Sequence, residues 1–221
     1  MDNPHENTSV EHFLPRGAFT ISAVRADPET QGLESAFASI HGQLKTKWRA
    51  IEDLEEIVEE HEAVIIIRDR HCDRIVRSFE LRLLDTVGKN REDPRYRRYF
   101  ANGLRAVTEA DARTVEPKLV QDLIRTLDED KPKPEFDTLH AEYRSKLQSA
   151  LDAVQTADQA CTRVETQCAF EKDKVLAELK VQWIDERKKL YAELTKKFPQ
   201  DSARVESYFR RFAKTRKKKE E

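Results

Sequence analysis

Six side chains in this sequence carry metal-site chemistry. His61, Asp69, His71, Cys72 and Asp73 lie close together in the chain, and Cys161 joins them if the long helices that carry them pair in opposite directions. A zinc ion needs four such ligands converging, and a di-iron bundle needs Glu-x-x-His on facing helices. The sequence has no Glu three residues before a His and no Cys-x-x-Cys. Free cysteine is also among the most often buried residues, so Cys72, Cys161 and Cys168 read as core positions and the histidines as their edge. On this reading the chain has no metal ligand, no catalytic residue and no cofactor.

A second set of residues could bind polyanions. Arg204, Arg210, Arg211, Lys214, Arg216, Lys217, Lys218 and Lys219 surround Tyr208, Phe209 and Phe212. Cations neutralise phosphates and aromatic rings stack on bases, so these are the candidate nucleic-acid-binding residues. The same aromatics would serve as the buried face of a short helix, with the cations favoured by its dipole or keeping the tail soluble. A third feature is acidic: seven of the eleven residues from Glu52 to Glu62 are Asp or Glu. Charge runs on long helices are usually solvated faces, and Ile51, Leu54, Val58 and His61 continue an apolar stripe through this one.

The elements that carry these residues are long helices. From Glu135 to Phe198 there is no Gly or Pro, and apolar residues return every three or four positions. Leu147, Val154, Cys161, Cys168 and Val175 are spaced by seven, with Ala150, Ala157, Ala160 and Ala169 thinning the helix for a close neighbour. Upstream, Asp27-Pro28 is a helix start, and Phe37, Leu44, Ile51, Val58, Ile65, Cys72 and Phe79 form a strict heptad before Gly88 and Asn90 stop it. Trp48, Val64, Val76 and Leu83 widen that stripe.

These signals divide the chain. Residues 1–26 read as a disordered start and an extended arm that docks on the helices, 27–88 as long helix one and 89–133 as a small helical head. Residues 134–198 are long helix two, 199–213 a short terminal helix and 214–221 a basic tail. Within the head, Asp93-Pro94 opens a helix to Ala101 and Pro117 opens another through Leu127. Arg95-Tyr-Arg-Arg-Tyr-Phe100 and Tyr208-Phe-Arg-Arg-Phe212 echo each other at the end of each half, a faint sign of duplication.

The 221 residues contain 37% charged side chains, only 5 Gly and 8 Pro, and a net charge of -2 from 40 basic and 42 acidic groups. That composition suits solvated helices and leaves few loops for an active site. The opening Met1 to Asn7 lacks a basic region followed by an apolar run, and no helical stretch is apolar enough to cross a bilayer. The expectation is a cytoplasmic, all-α, non-enzymatic protein: an elongated antiparallel hairpin of two long helices, coiled-coil-like, with the head between them. It would act as a scaffold or protein–protein interaction protein; a homodimer is the second arrangement, and nucleic-acid binding through the basic end is the alternative function.

Overall fold

The computed structural model describes residues 4–212, and every regular element among them is helical. The chain runs through α1 (Val10–Ala26), the long α2 (Ser35–Thr86), α3 (Pro94–Tyr99), α4 (Arg105–Thr108) and α5 (Glu116–Asp130). It continues in α6 (Pro134–Phe170), a π-helical segment (Glu171–Leu176), α7 (Ala177–Lys197) and α8 (Ser202–Ser207). Two compact units result. Among the described residues, one comprises the chain up to Glu55 and from Gln167 to Phe212; the other is Glu56–Thr166.

The first unit departs from the sequence reading at its start. The segment expected to be an extended arm is helix α1, and its buried seam is Val10, Phe13, Gly17, Thr20 and Val24 at alternating spacings of three and four. Two of those five positions are not apolar, which hides the helical period. Pro15 lies on the exposed side, where the carbonyl it leaves unpaired can reach water. The Asp27-Pro28 start also does not open the long helix. It opens a turn, in which the Asp27 carboxylate accepts from the Glu29 amide at 2.9 Å and Gly32 takes φ 98°, and α2 begins only at Ser35. Gly32 supplies the left-handed residue that a side chain would resist.

The core of this unit joins Phe13 of α1 and Phe37, Leu44 and Ile51 of α2 to Trp183, Leu190 and Leu194 of α7, closed by Val205, Tyr208, Phe209 and Phe212. Phe13 and Trp183 meet edge to face with ring centroids 4.8 Å apart. Arg187 is buried among these rings, its guanidinium 5.1 Å from the Phe209 centroid and 5.3 Å from that of Phe212. Its Nη2 donates to the Arg210 carbonyl at 3.2 Å, so a short aromatic-rich segment is tied back to α7.

Long helix two is not one uninterrupted α-helix. Buried positions Leu147, Val154, Cys161 and Cys168 keep the seven-residue spacing, but the next ones are Leu176, Trp183 and Leu190. The expected core residue Val175 is only half-buried. The buried series skips one residue between Cys168 and Leu176, and the π-helical segment Glu171–Leu176 lies across that skip. Its wider turn takes up the extra residue and returns the downstream apolar residues to the seam.

In the second unit Phe79 of α2 is the centre of an aromatic cluster, 5.5 Å from the Tyr99 ring and 5.7 Å from that of Tyr143. Asp93 caps α3 by accepting from the Arg95 amide at 2.8 Å, with Pro94 as its first residue. Two of the buried carboxylates here, Glu80 and Asp130, have matched donors. Tyr96 Oη donates to Glu80 at 2.9 Å, and Tyr99 Oη donates to Asp130 at 3.0 Å, where Lys133 adds a charged donor at 2.7 Å. Arg113 grips α6 with a fork: its Nε donates to Asp158 at 2.6 Å, while Nη1 and Nη2 each reach Glu165 at 2.8 Å. No helix among the described residues is long and apolar enough to cross a membrane.

Candidate functional site

Two places in the second unit combine unusual residues with unusual surroundings. The first is a buried acidic knot. Asp69, Cys72 and Asp73 face inward from α2, and the start of α5 brings Glu116, 3% exposed, against them. As three ionised carboxylates they could only accept, leaving Asp69 Oδ1, Asp73 Oδ1 and Glu116 Oε1 buried without a donor among the described residues. A proton resolves part of this. Burial, then the hydrogen bond and charge of Asp69, push the Glu116 carboxyl up to about 9, so it is a neutral donor in ordinary conditions. Burial pushes the Cys72 thiol up to about 12, with Glu116 adding to the shift.

Of the residues with metal-site chemistry, Asp69, Cys72 and Asp73 therefore come together, while His71 is exposed beside Arg74 and His61 is half-buried. Among the described residues no group of three or more His, Cys, Asp or Glu side chains is placed to hold a metal ion. Cys161 belongs to a separate small cluster with Ile65 and Ala157. Glu116 had no signal in the sequence. It lies far along the chain from Asp69, and only the fold of the head carries it there.

The second place is the outer face of α2. Its core side is the seam through Ile65, Cys72, Val76 and Phe79. Opposite it, Glu56, Glu60, Ala63, Ile67, Arg70, Arg74, Arg77 and Leu81 are all exposed and follow one another at spacings of four and three. That is a second heptad stripe on the same helix. Ile66, Ile67 and Leu81 are 51%, 59% and 63% exposed, and Val64, expected to widen the buried stripe, is 45% exposed. Successive residues on a helix turn by about 100°, so the run Ile65-Ile66-Ile67 can bury one member only. Contiguous exposed apolar surface marks a contact face, and Val64 and Ile67 are neighbours one turn apart on this side of the helix.

The basic end divides differently. Arg204 is engaged within the fold: its Nη2 lies 2.7 Å from Asp27 and 2.8 Å from Glu29, and its guanidinium stacks 3.9 Å above the Phe198 ring. This pairing and the Tyr208 hydroxyl hold the Asp27 carboxyl down to about 2. Arg210 lies 4.6 Å over Phe19. Arg211 is open to solvent, with Glu206 at 3.3 Å. Lys214, Arg216, Lys217, Lys218 and Lys219 lie outside the described residues.

A cavity of about 460 Å³ in the head is lined by Arg91, Tyr96, Arg97, Phe100 and Arg105. Each of its arginines already has a carboxylate: Arg91 pairs with Glu80 at 3.0 Å, Arg97 with Glu92, and Arg105 with Glu109 at 3.6 Å. An anion entering there would compete with these partners.

No family model, curated protein or solved structure matches this chain.

Proposed function

We propose that this chain is a non-enzymatic helical scaffold or protein–protein interaction protein, cytoplasmic, whose working surface is the outer face of α2. The observation that carries the reading is the exposed stripe through Ile67 and Leu81, with Val64 and Ile66 beside it, on a helix whose opposite face already fills the core. Apolar residues there leave much of their surface in water, and burying it against a partner gives a favourable contact.

The architecture that goes with this reading is an antiparallel, coiled-coil-like hairpin of the two long helices. Within the second unit, Ser78 meets Tyr143 at 2.7 Å while Ile65 clusters with Ala157 and Cys161, so positions later in α2 pair with earlier ones in α6. Within the first unit, His41 meets Trp183 while Lys47 meets Glu171, in the same opposed order. Three free, buried cysteines suit a reducing compartment.

Capture with the tagged full chain tests the proposal when wild type is compared with Ile67→Lys/Leu81→Lys, both changes lying on the exposed stripe. Loss of specific protein partners from the variant supports it; an identical set of partners contradicts it. The second reading is nucleic-acid binding, favoured by the open Arg211 side chain next to the basic tail. It requires affinity that falls steeply with salt and is lost on truncation after Ala213.

A further inference from the structure

We infer that the partner of the outer α2 face is a second copy of this chain, docked antiparallel about a twofold axis beside Ile65. The inference rests on the interaction reading above and narrows it to one occupant. The order of residues along the stripe carries it: Glu56 and Glu60 come first, Ala63 and Ile67 stand in the middle, and Arg70 and Arg74 follow. All six are exposed.

Within one chain this order is unfavourable. Glu56 and Glu60 are a like-charge pair four residues apart, as are Arg70 and Arg74, and like charges at that spacing destabilise a helix. Among the described residues none of these four makes a salt bridge; Arg74 instead lies 3.4 Å from the His71 ring. The inward acids Asp69 and Asp73 are half-buried, and Asp73 is taken up by Arg77 at 3.2 Å.

A second, antiparallel copy relieves both repulsions at once. Its Arg74 and Arg70 stand opposite Glu56 and Glu60, its Glu60 and Glu56 opposite Arg70 and Arg74, and each Ala63 receives the other copy's Ile67. A twofold interface must be self-complementary in this way, and an acid–apolar–base order on a single helix is the simplest means to it. Large facing small at the centre also lets the two helices approach closely. A parallel copy would set Glu against Glu and Arg against Arg.

Sedimentation equilibrium of the full chain across a wide dilution series tests this with two charge-swapped variants, E56K/E60K and R70E/R74E. Wild type should pass from its chain mass of 25.8 kDa toward twice that value as concentration rises. Each variant alone should stay at monomer mass with the circular dichroism and thermal midpoint of a folded chain. An equimolar mixture of the two should recover the dimer mass. Wild type that stays monomeric, variants that still dimerise alone, or a mixture that fails to associate while both components are folded would each overturn the inference. A monomeric wild type that still captures other proteins through Ile67 and Leu81 would remove self-pairing and leave the interaction reading standing.

Discussion

The indole Nε1–H of Trp183 donates to Nδ1 of His41 across 3.2 Å in the core of the first unit. That hydrogen bond requires an unprotonated Nδ1, and burial, with the nearby Lys45 charge second, lowers the affinity of His41 for a second proton. The ring also fills the space over α1: a Cβ on Gly17 would come within 2.3 Å of His41 Nδ1 and 2.6 Å of Cε1.

Gly17 is thus a glycine held by contact and not by backbone conformation. In an open helix Gly→Ala is stabilising. Here Gly17→Ala should destabilise by about 1–3 kcal/mol, because the imidazole must leave its place. His41→Ala combined with Gly17→Ala should cost less than the sum of the two single changes, a coupling urea titrations of the four proteins would measure. Additive losses would contradict the contact.

The pH response of the first unit follows from the same histidine. Its folded pKa lies below the ordinary 6.5, so its contribution to stability is present above that value and is lost as pH falls through the folded one. Both tryptophans, Trp48 and Trp183, belong to this unit, so indole fluorescence reports on it alone. The denaturant midpoint read by fluorescence should fall on acidification from neutral pH. His41→Gln should flatten that response.

Glu116 gives the second unit the opposite sign. Its folded pKa, about 9, stands above the ordinary 4.5, so its stabilising effect is complete below 4.5 and disappears as pH rises through 9. Glu116→Gln keeps a neutral donor and removes the ionisation. The variant should match wild type at the acidic end of that interval and exceed it at the alkaline end by on the order of a few kcal/mol. Equal losses at both ends would mean that Glu116 is ionised in the fold.

Cys72, Cys161 and Cys168 are all buried, and burial raises the thiol pKa of Cys72 and Cys161. They should react slowly with a thiol reagent in the native protein and quickly after unfolding, since the thiolate is the reactive form. Fast labelling of any one in the native state would contradict its place in the core.

The long helices were legible because their seams are written in apolar residues. Of the heptad Phe37, Leu44, Ile51, Val58, Ile65, Cys72 and Phe79, all but Val58 are buried. Helix α1 was not legible, because its seam passes through Gly17 and Thr20, and Pro15 on the solvent side looks like a breaker. The π-helical skip was invisible for another reason: Val175 and Leu176 are both apolar, and the sequence does not say which one faces the core. The outward α2 stripe was half visible, as three consecutive isoleucines that one helix face cannot bury. The Glu116 knot joins residues far apart in the chain, beyond the reach of any local pattern.

A photoreactive residue placed at Ile67 in the full chain, with an exposed α6 position, Gln155, as control, tests whether the outer face of α2 is a contact surface. Irradiation should give a covalent protein adduct from position 67, whether with a second copy or another chain, and none of comparable yield from position 155. No adduct at 67, or equal yields at both positions, would contradict the outer face of α2 as the surface through which this protein works.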